Sequence, residues 1–218
     1  MRIHLKTSQN QSIVPFDNQY LLTGCLHKWL GTNDIHDEIS LYSFSWLQNA
    51  QAENKGLRFP QGSNWFISCH DRDLIKQLID GIRKEPDMFA GMQVTEVQMQ
   101  ETPVFGDSYT FKVASPVLAK YWDGESVKHL LWSDEPASKV LTRTLQTKLE
   151  KAGLSIKGVQ VNFDTSYRGA KSHLVDIKDI KHRASMCPVI ITGSPEQISF
   201  AWDVGVGHLT GCGFGSLW

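Results

Sequence analysis

Apolar residues along this chain switch from every-second-residue spacing to the three-and-four spacing of a helix and back again, and the same order of switches occurs twice. In the first half, residues 1–8 alternate as a short strand. Asp17 or Asn18 can cap a helix carrying Tyr20, Leu21, Leu22, Leu26, Trp29 and Leu30, which Gly31 stops. Strands are predicted from Ile39 to Leu47 and from Asn64 to Cys69, a helix from Asp73 to Ile82 behind the cap Asp71, and a strand from Gln93 to Glu101. The second half predicts a strand from Tyr109 to Ala114, a helix from Asp134 to near Gly153 and a strand from Ile156 to Phe163. It continues with a hairpin arm from Arg168 to Ile180, a strand from Met186 to Thr192, a helix entered through Ser194-Pro195-Glu196 and ended by Gly205, and a last strand from Gly213 to Trp218. Each half therefore reads β-α-β-β-α-β, the ferredoxin-like unit. The expected class is α+β, two tandem ferredoxin-like (βαββαβ, RRM-like) domains, residues 1–105 and 106–218, with the break where Pro103 and Gly106 interrupt the pattern. Paired sheets of this kind are common in RNA-binding modules.

The link from the last helix to the last strand is Gly205-Val-Gly-His-Leu-Thr-Gly-Cys-Gly-Phe-Gly215, with five glycines in eleven positions. Each glycine costs folding entropy, so the backbone there must go where side chains obstruct. A dinucleotide loop would open a helix and need an acidic residue about 20 positions on. Here Ser216, Leu217 and Trp218 follow, and no Gly-Lys-Ser or Gly-Lys-Thr is present to make a phosphate-binding P-loop. Two readings remain. Either the loop presents N–H groups to a phosphate chain, with His208 and Phe214 as base contacts, or it is a closely packed turn.

A net charge of −1 excludes a generally basic surface, so a polyanion site must be a local patch. Residues 157–183 supply one, with Lys157, Arg168, Lys171, Lys178, Lys181 and Arg183 against Asp164, Asp176 and Asp179, and with His173 and His182 beside them. The competing reading is a solvated charged hairpin. Four scattered cysteines make no C-x-x-C pair, and there is no signal-peptide run or stretch of about 18 apolar residues, so a cytoplasmic, membrane-free protein is expected.

Histidine titrates near neutral pH and both gives and takes protons. Of the eight histidines, His27 lies on the first predicted helix and His36 just beyond it in Ile-His-Asp-Glu, where the two can converge. H-E-x-x-H and G-x-S-x-G are absent, so no metal and no cofactor are expected. Metal-free proton transfer suits RNA, whose own 2′-OH is the nucleophile: a base and an acid suffice, and the products are a 2′,3′-cyclic phosphate and a 5′-OH.

The ending, a Gly-hydrophobic-Gly, five residues, then Gly-Phe-Gly at positions 205–207 and 213–215, resembles the signature of the CRISPR-associated repeat-processing endoribonucleases of the RAMP superfamily. "YLLTGCLHKWL", "DIHDEISLYSFSWL", "VASPVLAKYW" and "LTRTLQTKLEKAG" are similar to other parts of that family. The resemblance implies two ferredoxin-like domains and metal-independent cleavage of CRISPR repeat RNA, in some members a stem-loop. It matches His36 to the catalytic histidine and His27 to the first-helix tyrosine or histidine, acid and base in either order. Where some members add a lysine, this sequence has Leu41, Tyr42 and Ser43; Tyr42 is the candidate for a third role that stays open. Arg168, Lys171, His173, Lys178, Lys181 and Arg183, with Gly205, Gly207, His208, Gly211, Gly213, Phe214 and Gly215, are the expected RNA contacts. Further expected partners are other CRISPR effector subunits and a second copy of the chain. The alternative reading is a non-catalytic RNA-binding RAMP subunit of a guide-RNA complex.

Overall fold

The computed structural model describes residues 1–31 and 39–218. In the first half the order is β1 (Arg2–Thr7), α1 (Gln19–Leu30), β2 (Tyr42–Phe44), β3 (Gln51–Glu53), β4 (Gly56–Arg58), β5 (Asn64–Cys69), α2 (Arg72–Lys84) and β6 (Val94–Gln100). Strands β2, β5, β1 and β6 lie side by side in that order, every pair antiparallel. Alternation along β1 turns Ile3 and Leu5 to one face, opposite Ile67 and Trp65 of β5. Both helices cover this face, with Leu22, Leu26 and Trp29 of α1 and Ile75, Leu78 and Ile82 of α2 in one buried cluster. As expected, the Asp71 carboxylate accepts from the Asp73 N–H at 2.8 Å and caps α2.

The second half contains β7 (Ser108–Phe111), β8 (Ala119–Trp122), β9 (Val127–Leu130), α3 (Ala137–Lys151), β10 (Gln160–Phe163), β11 (Lys171–Ile177), β12 (Ile180–Met186), β13 (Val189–Thr192) and α4 (Pro195–Val204). Strands β10, β13 and β7 form an antiparallel sheet, and the chain end lies along β7's outer edge through the bridge between Val113 and Leu217. The strand order is that of the first sheet. Leu141, Leu145 and Leu149 of α3 and Ile198 and Ala201 of α4 pack on Phe111, Val161 and Ile191. Ser194 and Gln197 close a reciprocal capping box on α4, Pro195 occupies its first turn, and Gly205 ends it at φ +70°.

Several sequence expectations are corrected by the backbone. The strand expected over 39–47 shrinks to β2, because the Phe66 N–H goes to the Ser45 hydroxyl instead of its carbonyl and Trp46 turns its own N–H to Ala114 of the other half. Asn18 sits at the start of α1 without capping it, its amide donating to the Pro15 and Phe16 carbonyls, while Asp17 accepts the Asp176 N–H of β11. The strand expected over 213–218 is a single bridge, since Gly213 and Gly215 take φ +84° and +61°, outside strand geometry. The hairpin continues through β12 to Met186; its two-residue turn, Lys178-Asp179, has both φ values positive, the geometry that matches strand twist. The hairpins β3–β4 and β8–β9 were not anticipated.

The two halves meet around Arg2, whose polar face of β1 looks away from the helices. Its guanidinium lies between the rings of Phe66 and Trp202, 3.8 and 3.7 Å from their centroids. It donates to Ser68 Oγ at 2.6 Å and to the Leu217 carbonyl at 2.7 Å. Burial lowers its pKa to about 9 while Asp203 acts in the opposite direction, so it remains charged at neutral pH. Met1's amino group donates to Asp203 at 2.6 Å, and Trp218 packs on Phe66 with ring centroids 4.8 Å apart. Arg2→Ala is predicted to lower stability by about 3 kcal/mol, through a cavity and orphaned acceptors at the junction. Urea unfolding is the check, and a change within about 0.5 kcal/mol contradicts this account of the junction.

Candidate active site and nucleic-acid interface

The glycine loop lies inside the molecule, and its glycines serve its own chain. Val206 donates its N–H to the Gly215 carbonyl at 2.9 Å, so the loop closes on itself. At Gly215 a Cβ would fall on the Val206 carbonyl oxygen, and at Gly207, with φ +78°, it would lie 2.6 Å from the Leu118 oxygen. Gly205 and Gly211 are likewise buried, Gly211 against the Tyr42 hydroxyl, and the Gly213 carbonyl accepts from Trp46 Nε1 at 2.9 Å. Phe214 is fully buried with Leu118, Val175 and Ala184, so it offers no face to a base, contrary to the stacking expectation. Of the two sequence readings, the closely packed turn is the one observed. His208 is half-buried, its N–H donating to Leu118 and its Nδ1 3.4 Å from the same carbonyl oxygen; burial, then the charges of Lys120 and Lys148, hold it below the usual histidine range against that carbonyl's opposing pull.

Beneath the loop is a residue that pattern reading passed over. Lys148 of α3 is fully enclosed, and its ammonium donates to the Val204 carbonyl at 3.0 Å, to Thr210 Oγ1 at 2.8 Å and to the Gly205 carbonyl at 3.4 Å. It therefore caps the C-terminus of α4 and fixes the turn at 210–212 in one contact. Burial lowers its pKa to about 7. The signal was present: Leu141, Thr144, Leu145, Lys148 and Leu149 share one stripe of the helix, and a lysine there must find acceptors.

The candidate catalytic residues are placed as follows. His36 lies outside the described residues. His27 is half-buried in the last turn of α1. Tyr42 begins β2 and is buried; α1 and β2 both pack against the 210–212 turn, which brings the helix of His27 and the strand of Tyr42 to one element. Tyr42, Ile39, Ser40, Leu41, Asp71 and Leu74 border a cavity of about 200 Å³ that Lys151 also lines. Burial, reinforced by Cys212 and Cys69 and opposed by a hydrogen bond to Ser40, pushes the phenol of Tyr42 above its ordinary range. It stays protonated at neutral pH, suited to donating a hydrogen bond.

The basic residues divide by strand register. Leu174 with Arg183 and Asp176 with Lys181 are cross-strand pairs on the outer face of the β11–β12 hairpin, and Lys178 stands exposed at its turn. Arg168 precedes the hairpin and Lys171 opens it, both exposed. His173 faces inward, half-buried, its ring 5.6 Å from that of Trp46, and is held below the usual range by burial and then by Lys171. Five of the six predicted contacts are thus exposed cations; His173 is a packing residue. Among the described residues no group of three or more His, Cys, Asp and Glu is placed to hold a metal, and no helix is long and apolar enough to cross a membrane.

Fold and site define a class, an α+β protein of two tandem ferredoxin-like units with a basic hairpin and a closed glycine loop. The family described as CRISPR associated protein Cas6, C-terminal, matches residues 99–217, more than half of the chain. The chain belongs to the Cas6 family, the endoribonucleases of CRISPR processing. A curated protein of Pyrococcus furiosus named as a CRISPR-associated endoribonuclease-like protein Cas6 is 22% identical over 238 aligned positions, covering 100% of this chain and 98% of that protein. A solved structure of a Cas6-related gene product from Pyrococcus furiosus superposes with a TM-score of 0.84 at 21% identity, over 100% of this chain and 97% of that one. A further structure, titled as an RAMP protein binding different RNA substrates, gives 0.83 at 20% identity, over 100% and 98%.

Lys148→Met is predicted to destabilise the fold by about 2 to 3 kcal/mol by leaving buried acceptors without a donor. Hydrogen exchange should accelerate at 205–215 while β1 and β5 keep their relative protection. Uniform acceleration throughout would show that Lys148 does not act locally.

Proposed function

We propose that this protein is a metal-independent endoribonuclease that binds CRISPR repeat RNA and cuts it within precursor transcripts to release guide RNAs. The observation that carries the reading is the family match over residues 99–217. Full-length similarity to the Cas6 protein of Pyrococcus furiosus supports it. The division into residues 1–105 and 106–218 belongs to the same proposal; separate buried clusters under the two sheets support it.

In the proposed reaction the 2′-OH before the scissile phosphate attacks in line. His36 and His27 serve as base and acid in either order, and the protonated phenol of Tyr42 stands as the third group. Leaving groups and proton balance then give a 2′,3′-cyclic phosphate and a 5′-OH. The exposed cations Arg168, Lys171, Lys178, Lys181 and Arg183 take the RNA phosphates, which set position without reading sequence. The buried loop acts indirectly, by fixing the 210–212 turn against β2.

His36→Ala and His27→Ala should each slow cleavage of the cognate repeat by about 10²-fold or more with RNA affinity nearly kept. Cleavage should persist in excess EDTA and stop when one deoxynucleotide precedes the cut. Binding without any product, in the wild type, would instead identify a non-catalytic RNA-binding subunit.

Exchanging Lys171, Lys178, Lys181 and Arg183 for neutral residues should weaken RNA binding and flatten its dependence on salt, because fewer counterions are released. An unaltered salt slope would place the RNA on another face.

A further inference from the structure

The β8–β9 hairpin carries two exposed aromatic residues that the β11–β12 hairpin does not provide. Lys120 pairs with His129 and Trp122 with Val127, and cross-strand partners two residues apart share one face. That face therefore presents a cation and an imidazole, then, about 7 Å farther out, an indole. Trp122 is 63% exposed, far more than a packing role requires.

The inner end of this face meets β12. The rings of His129 and His182 lie 5.8 Å apart, edge to face, and Arg183 acts on His129 from the same strand. His182 is 7% exposed, and its Nδ1 is buried without a hydrogen-bond partner. A buried polar nitrogen without a partner is costly and marks a place where a ligand can supply one. Lys120 takes part in none of the ion pairs among the described residues; at the hairpin tip Lys128 is held by Asp123 at 3.3 Å. Burial and then Lys120 hold both imidazoles below their usual range, with Arg183 adding to this at His129, His129 adding at His182, and Asp176 opposing at His182. A nearby negative charge opposes this shift and favours their protonation.

We propose that this face binds one unpaired nucleotide of an RNA strand, its phosphate between Lys120, His129 and His182 and its base stacked on Trp122. The inference rests on the RNA-binding reading above and adds a single-strand subsite to it. Charge complementarity selects the occupant: clustered cationic and imidazole donors beside a free aromatic face are what a base and its phosphate require.

The test is equilibrium binding of a fluorescent oligouridine of about ten nucleotides and of a blunt RNA duplex to the full chain. Trp122→Ala and the double variant Lys120→Ala/His129→Ala should each weaken the single strand about tenfold, with duplex affinity unchanged, and Trp122→Phe should restore it. If the wild type binds the single strand and Trp122→Ala binds it equally well, the subsite is overturned while the RNA-binding reading stands. If the wild type binds neither RNA, that reading falls and this inference with it. A Trp122→Ala protein whose RNA affinity is unchanged but whose sedimentation shifts from dimer to monomer overturns the proposal in favour of a contact between two copies.

Discussion

One buried ammonium fixes the turn of the second half on which α1 and β2 of the first half pack. Lys148 reaches the end of α4 and the 210–212 turn together, beside the bonds that Arg2 and Ser43 make to the Trp202 and Asp203 carbonyls. With the turn fixed, the loop closes through Val206 and Gly215, Phe214 enters the pocket under the β11–β12 hairpin, and the Gly213 carbonyl accepts from Trp46. The same turn lies over Tyr42 and packs on α1. Side chains at the loop's closest approaches would displace backbone atoms, which is why glycine recurs there despite its entropic cost.

Local rules made the regular elements legible. Asn64–Cys69 is a strand as expected because its apolar run meets flanking strands on both sides. The Ser194 cap and Gly205 stop follow from chemistry confined to a single turn. Tertiary hydrogen bonds decided the misses. Nothing in Ser45 and Trp46 says that the Ser45 hydroxyl will take the Phe66 N–H or that the Trp46 N–H will leave the sheet for Ala114. Register is equally silent in composition: the basic run of 168–183 gives no hint that His173 turns inward while Arg183 and Lys181 turn outward.

The candidate site was legible as a set of residue types and less so as roles. Glycine density announced a tight backbone, but whether the neighbour was a ligand or the chain itself depends on Leu118 and Val206, distant in sequence or hidden within the motif. Phe214 looked like a stacking residue because it sits between glycines; its burial makes it the plug that joins loop and hairpin. Lys148 was obscured for the opposite reason. A lysine on a helix is ordinarily read as solvated, and only its place between Leu145 and Leu149 betrays otherwise.

The proposed grip and the proposed chemistry lie on different elements but share a support. The exposed cations stand on hairpins of the second half, where the sheet leaves loops free to be charged, while the proposed proton-transfer groups belong to α1, β2 and the segment between them. Phosphate contacts on the hairpin would set the strand's position without reading its sequence, so alignment at the cut depends on how firmly the hairpin is held to the rest of the chain. What fixes the hairpins relative to Tyr42 is the Phe214 plug on one side of the loop and the 210–212 turn on the other, both held by the closure above Lys148. Rigid coupling of this kind suits in-line attack, where an error of about 1 Å in alignment is costly. On the proposed function, the glycine motif serves catalysis without touching the substrate: it sets the distance between the proposed RNA-holding hairpin and the proposed site of cleavage.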